Sequence, residues 1–188
     1  MDIKLDKISK SFDAQTVLHA FSLTVRQGST YVLTGASGVG KTTLLHILLG
    51  LVKPDSGTVT AGVRYSAVFQ ENRLLPNRSA VENLQFVADA GIKKAALTAL
   101  LAEILPADCL DKPIEELSGG MQRRVAIARA MLAESDCVVM DEPFTGLDEE
   151  TVKTVVSFIF RHLHGRTLIL STHQPEALEA YPTERISL

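Results

Sequence analysis

The sequence predicts an α/β fold: a mostly parallel central sheet, an antiparallel β subdomain at the N-terminal side, and a small helical insert. Three observations carry this. Short continuous apolar runs alternate with segments of helical periodicity, the pattern of a parallel sheet covered by helices. A glycine-rich turn from Gly35 to Gly40 joins one apolar run to a helix. Between about residues 71 and 117, helical patterns follow one another without a strand signal.

Each element has its local reason. Ile3 to Phe12, Val17 to Phe21 and Ser22 to Val25 read as short strands, and Tyr31 to Thr34 as a buried one. A helix is expected from Lys41 to about Leu49, stopped by Gly50 and Pro54. Gly57 to Thr60 and Tyr65 to Phe69 read as two more strands. Ser79 and Glu82 have capping-box spacing for a helix running to about Asp89, which Gly91 breaks, and a second helix is expected from Ile92 to Leu105. The α/β pattern then resumes. A helix is expected from about Gly120 to Ala133, a strand at Cys137 to Met140, a helix from Glu149 to Leu163 and a strand at Thr167 to Ser171. Pro175 to Ala180 predicts a short helix, and Ile186 to Leu188 a last strand.

The 188 residues fit one domain with its own core. The net charge of −3 speaks against a nucleic-acid partner, because phosphate binding usually needs a basic surface. The two cysteines, Cys109 and Cys137, are too few and too far apart for a metal or disulfide framework, so reduced thiols are expected. Met1-Asp2-Ile3-Lys4 lacks a signal-peptide layout. The stretch Leu44 to Val52 contains His46 and Gly50 and is too short to span a bilayer. The expectation is a cytoplasmic chain that reaches a membrane only through a partner.

Gly35-Ala36-Ser37-Gly38-Val39-Gly40-Lys41-Thr42 has the form G-x-x-x-x-G-K-[ST], followed by Thr43. Glycines let backbone N–H groups turn inward around phosphate oxygens. The helix that follows aims its free N–H groups and partial positive charge at the same anion. Lys41 supplies a cation to the β- and γ-phosphates, and the Thr42 hydroxyl can ligate Mg²⁺. The apolar strand Cys137 to Met140 ends in Asp141 and Glu142. In open α/β sheets ligands bind beyond the carboxyl ends of the strands. Asp141 then suits Mg²⁺ and Glu142 suits activation of a water. These motifs define a P-loop nucleotide hydrolase and leave GTPases, kinases and helicases open.

Leu117-Ser118-Gly119-Gly120-Met121-Gln122 stands before a further helix and repeats the anion-binding design: a hydroxyl, flexible N–H groups and a helix dipole. Taken alone, it is equally the N-cap of a helix. Its place shortly before the Asp141–Glu142 strand, in a chain with a phosphate loop, suggests that it serves another copy of the domain.

With these residues the chain resembles the ABC ATPase family over nearly its whole length. Leu-Ser-Gly-Gly-x-Gln is similar to that family's signature. The resemblance implies that Phe12 stacks on adenine, that Gly35 to Thr43 bind the phosphates, and that Gln70 joins Mg²⁺ and water to the helical insert. It implies that Asp141 holds Mg²⁺, Glu142 activates water, Asp148 contacts the opposite subunit and His173 faces the γ-phosphate. It also implies a head-to-tail pair of subunits, in which Ser118, Gly119, Gly120 and Gln122 of one cover ATP on the other. Integral membrane permease subunits, a substrate-binding protein, and a place on the inner face of the cell membrane come with the same resemblance. Asp148 also reads as the N-cap of its helix.

Two rivals stay open, a non-transport ABC protein and a generic P-loop kinase or GTPase. The first often carries two nucleotide domains, a long coiled coil or basic segments; none is evident here. The signature at Leu117 disfavours the second. Val68-Phe69-Gln70-Glu71-Asn72-Arg73-Leu74-Leu75-Pro76 looks like the importers of the nitrate, sulfonate and taurine type, although Asn77 stands where that group usually has Trp. The insert is shorter than usual in the family, and the chain stops soon after His173, where some members continue into a regulatory domain. The cargo is not legible, since ATP subunits do not touch it.

Overall fold

A computed structural model describes residues 1–13 and 15–188. In chain order the strands and α-helices are β1 (Ile3–Phe12), β2 (Gln15–Val25), β3 (Thr30–Thr34), α1 (Lys41–Leu48), β4 (Ser56–Thr60), β5 (Tyr65–Val68), α2 (Ala80–Gln85), α3 (Lys94–Ala102), α4 (Gly119–Leu132), β6 (Cys137–Asp141), α5 (Glu149–His162), β7 (Thr167–Ser171) and β8 (Glu184–Ser187). They divide between two compact units. One comprises Met1–Tyr65, Ser135–Asp141 and Gly165–Leu188; the other comprises Ser66–Glu134 and Glu142–His164.

The first unit holds both kinds of sheet that the sequence predicts. β1 lies between β2 and β4 and is antiparallel to both. The pieces expected at 17–21 and 22–25 are one continuous strand, β2. The difference has a physical cause. The β1–β2 register slips between Leu5 and Ile8 and again before Lys10, and Lys7 and Ala20 take left-handed backbone angles. Such bulges break the in–out alternation, so the sequence reads as two strands. Serines bridge the gaps: Ser22 Oγ accepts from the Lys7 amide and Ser9 Oγ from the Ala20 amide, both at 2.9 Å.

β6, β7, β3 and β8 run side by side in that order, all parallel. Every residue of β6 and β7 is buried, and so are Thr30 to Leu33 of β3. That is why these segments read as unbroken apolar runs: both faces of a parallel sheet are covered. α1 packs against β6 through a face that buries Leu44, Leu45 and Leu48. Cys137, at the start of β6, is fully buried, and burial pushes its thiol up to about 12. β8 starts at Glu184, two residues ahead of the expected strand.

The second unit is mainly helical. α2 packs on α3 and α4, and α4 packs on α5. The expected capping box is present: Ser79 Oγ accepts from the Glu82 amide, and the Glu82 carboxylate accepts from the Ser79 amide. α2 and α3 are nonetheless shorter than their periodicity predicts, because Val87, Ala88, Ile104 and Leu105 continue the pattern as hydrogen-bonded turns. α5 shows the amphipathic spacing of a packed helix, burying Val152, Val155, Val156 and Ile159. Its last turn carries Arg161 and His162, which both meet the Glu103 carboxylate at 3.0 Å. Cys109 is buried here. Pro175–Leu178, in the first unit, is a 3-10 turn rather than the longer helix expected. Among the described residues, no helix is long and apolar enough to cross a membrane.

Candidate nucleotide site

In the first unit the carboxyl ends of three adjacent parallel strands point the same way. Leu33 of β3 pairs with Ser171 of β7, and Ser171 pairs with Asp141 of β6. The glycine-rich loop leaves β3, Asp141 closes β6, and Thr172-His173 leaves β7, so topology gathers all three at one sheet edge. This is the crevice where open α/β sheets bind ligands.

The loop takes a shape that its glycines permit. Gly40 is the N-cap of α1 at φ +112, and a Cβ there would stand 2.8 Å from the Val17 carbonyl oxygen. Only glycine fits such a backbone. Lys41, the first residue of α1, is buried, and its Nζ donates to the Gly35 and Ala36 carbonyls at 2.8 and 3.0 Å. Ala36, Ser37 and Gly38 are exposed; Gly35, Val39, Thr42 and Thr43 are half-buried.

Asp141 is 3% exposed. Its Oδ1 accepts a 2.6 Å hydrogen bond from Ser171 Oγ. Its Oδ2 is buried and has no hydrogen-bond partner among the described residues. A buried carboxylate oxygen without a partner is costly unless a cation or water meets it. This oxygen, like the Thr42 hydroxyl near the start of α1, is a hard oxygen donor of the kind that suits Mg²⁺. Phe12, at the end of β1, is 48% exposed, with Lys10 Nζ 5.3 Å from its ring centroid. An exposed aromatic face of this kind can take a flat partner. His173 is exposed, and the turn that carries it is closed by the Gln174 amide donating to Thr172 Oγ1 at 3.0 Å.

The second unit carries the remaining residues. Glu142 is half-buried and adopts φ +49, a left-handed angle that costs a non-glycine residue roughly 1–2 kcal/mol. The following Pro143 restricts it further. Strain of this sort tends to collect at functional sites. Ser118 is the N-cap of α4, and its Oγ accepts from the Met121 amide at 3.3 Å. Ser118 and Gly119 are exposed; Gly120 lies against the 146–148 loop, where a Cβ would meet Leu147 Cδ2 at 3.2 Å. Gly119 differs: nothing lies within 4 Å of where its Cβ would stand. The Gln122 amide donates to the Ile114 and Leu117 carbonyls, both at 3.0 Å, and so fixes the turn ahead of Ser118. Asp148 caps α5, accepting from the Thr151 amide and hydroxyl, and these bonds hold its carboxyl below the usual range. Gln70 is exposed just beyond β5.

Sequence reasoning missed two residues that hold site residues and one that holds the turn before α2. Ser171 orients Asp141. Asn83 is fully buried; its Oδ1 accepts from the Leu75 amide and its Nδ2 donates to the Ser79 carbonyl. Arg123, buried on α4, donates to the Phe69 and Gln70 carbonyls. The partners are far apart in sequence except for those of Asn83, so only the fold pairs them.

Comparison with known proteins identifies the family and the fold. The family model for the ABC transporter matches residues 18–145. The aliphatic sulfonates import ATP-binding protein SsuB 1 of Nocardia farcinica is 41% identical over 79% of this chain and 61% of its own length. The Fe(3+) ions import ATP-binding protein FbpC 3 of Rhodococcus jostii is 34% identical over 94% and 56%. The Nod factor export ATP-binding protein I of Paraburkholderia xenovorans is 35% identical over 94% and 64%. The chain thus spans between 56% and 64% of the length of these relatives. The dimeric post-hydrolysis structure of the ATP-binding cassette MJ0796 bound to ADP and Pi superposes with a TM-score of 0.81 at 25% identity, covering 93% of this chain and 89% of that one. The α/β fold with its parallel and antiparallel sheets is the fold of that cassette, and the chain belongs to the ABC transporter family.

Proposed function

We propose that this chain binds and hydrolyses ATP as the engine of an ABC membrane transporter, acting as a head-to-tail pair. The observation that carries the reading is the convergence of the Lys41 loop, the half-satisfied Asp141 and the His173 turn at the carboxyl ends of β3, β6 and β7. Two of the three relatives described above are named as import proteins, which supports an importer. The partners are then a second copy of this chain, integral membrane permease subunits and a substrate-binding protein. The working place is the cytoplasmic face of the cell membrane. Residues 1–188 act as one ABC ATPase domain, with 71–117 as its helical insert.

In this reading the adenine stacks on Phe12, and the backbone N–H groups of residues 35–43 surround the phosphates. Lys41 uses two of its three donors on loop carbonyls and turns the third to the γ-phosphate. Thr42, Asp141 and Gln70 would be the residues to hold Mg²⁺, which when bound would supply charge neutralisation to the phosphates. Glu142 takes a proton from the attacking water as its oxygen bonds to the γ-phosphorus. The bond from that phosphorus to the bridging oxygen breaks, and ADP leaves with the electron pair. His173 stabilises the charge on the departing phosphate. Ser118, Gly119 and Gly120 of the second copy close over the same triphosphate. Gln122 supports them by fixing their turn, and Asp148 lies at the subunit contact. The exposure of Ser118 and Gly119 supports such a covering role.

Glu142→Gln keeps the shape of the side chain but removes the base. With ATP it is expected to elute from a size-exclusion column as a dimer, and without ATP as a monomer. A monomer under both conditions would remove the paired-subunit reading.

A further inference from the structure

We infer that Arg123 is a positioning residue for Gln70, making the helix that presents Ser118 carry the Gln70 loop with it. The inference rests on the reading of this chain as an ATPase in which Gln70 reaches toward Mg²⁺ and water.

β5 ends at Val68, and the next two carbonyls, of Phe69 and Gln70, both accept from one guanidinium, that of Arg123. A guanidinium is a rigid planar fork, so two consecutive carbonyls can share it only when both face the helix that bears it. Arg123 is 6% exposed, whereas Gln70 is exposed. The backbone of Gln70 is therefore gripped while its side chain stays available.

The grip extends along the loop. Arg129, also on α4, donates to the Arg73 carbonyl at 2.9 Å and reaches the Asn72 carbonyl at 3.5 Å. Arg73, at φ +46, folds its guanidinium to 3.7 Å from the Phe69 ring centroid. Residues 69–73 thus ride on α4 through side chains separated by more than 50 positions in sequence. Ser118 caps the same helix, about 7.5 Å along the axis from Arg123 at 1.5 Å per residue. An α-helix of this length moves as a rod. A displacement of the Ser118 end on closure over a nucleotide is transmitted through Arg123 to the backbone of Gln70.

The test is a double-mutant cycle on ATP turnover, with Arg123→Gln, Gln70→Ala and their combination. Arg123→Gln is expected to lower kcat about ten- to hundredfold with KM for ATP within about twofold, since it misplaces a group without removing a nucleotide contact. In the Gln70→Ala background it is expected to add no further loss. Arg123→Lys keeps the charge but loses the fork, and is expected to fall between Arg123→Gln and wild type. Hydrogen exchange of the amides at 69–71 in Arg123→Lys gives a readout independent of turnover, and faster exchange there is expected. Losses that multiply across the cycle, unchanged exchange, or wild-type kcat in Arg123→Gln would overturn the inference while leaving the ATPase reading intact. Wild-type turnover no higher than that of Lys41→Ala would overturn both.

Discussion

Two helices of this molecule begin at glycine-bearing motifs, and they begin in opposite ways. α1 starts at Gly40 in a left-handed conformation without a side-chain cap, and its first residue, Lys41, is buried against the carbonyls of its own loop. α4 starts at Ser118 in an extended conformation with an ordinary side-chain cap, and its first residue, Gly119, faces open space. The first start is shaped by its own chain, which leaves no room for a side chain at Gly40. The second is satisfied by its own chain, and nothing local requires Gly119 to be glycine. Gly40 is demanded by packing, whereas Gly119 has neither a close neighbour nor a left-handed backbone angle to require it. The difference fits the proposed division of labour, a phosphate loop built into its own chain and a signature turn left open for a second copy.

Substitutions sharpen this contrast. The largest effect is expected from Lys41→Ala, which removes the buried ammonium at the first start. Turnover should fall at least roughly a hundredfold, the loss typical of deleting one charge-stabilising donor. A phosphate-release assay reads it, and retained turnover would mean that the loop holds no triphosphate. Next comes Gly40→Ala, which adds a methyl 2.8 Å from the Val17 carbonyl at a left-handed backbone. A loss of about 2 kcal/mol or more is expected by denaturant titration. Gly119→Ala should behave in the reverse manner. Alanine suits the first turn of a helix better than glycine, so stability should hold or rise by up to about 1 kcal/mol. If Gly119 covers another copy's nucleotide as proposed, turnover should nonetheless drop about tenfold, because the methyl occupies that face. Equal stability losses at positions 40 and 119 would break the comparison. In stability alone, Ser118→Ala is expected to lose about 1 kcal/mol with its cap, read by the same denaturant titration.

Much of this was legible in the sequence, for identifiable reasons. Thr167 to Ser171 and Cys137 to Met140 read as strands because a doubly covered parallel strand is an unbroken apolar run. Ser79 and Glu82 announced their helix through a local reciprocal bond. Legibility failed where structure depends on distance along the chain. The bulges that make the single strand at 15–25 read as two arise from pairing with β1. The ends of α2 and α3 were overrun because Val87 and Leu105 keep the helical period in turns that are not helix. Ser171 meets Asp141 through strand register, 30 positions away, and Arg123 meets Gln70 across 53. No local pattern encodes either pair. The glycine-rich loop and the signature were visible because anion binding by backbone needs consecutive residues; the side chains that hold Asp141 and the Gln70 backbone were not.

Both native thiols are shut inside the molecule, Cys137 at the root of β6 and Cys109 in the helical unit. Burial also holds Cys137 in its unreactive protonated form at neutral pH. The folded surface is therefore silent toward maleimides and other thiol reagents. A single cysteine introduced by Ser118→Cys would take up essentially all of a fluorophore or spin label without prior removal of the natural ones, giving a direct optical or magnetic report on whether that corner becomes covered when nucleotide is added.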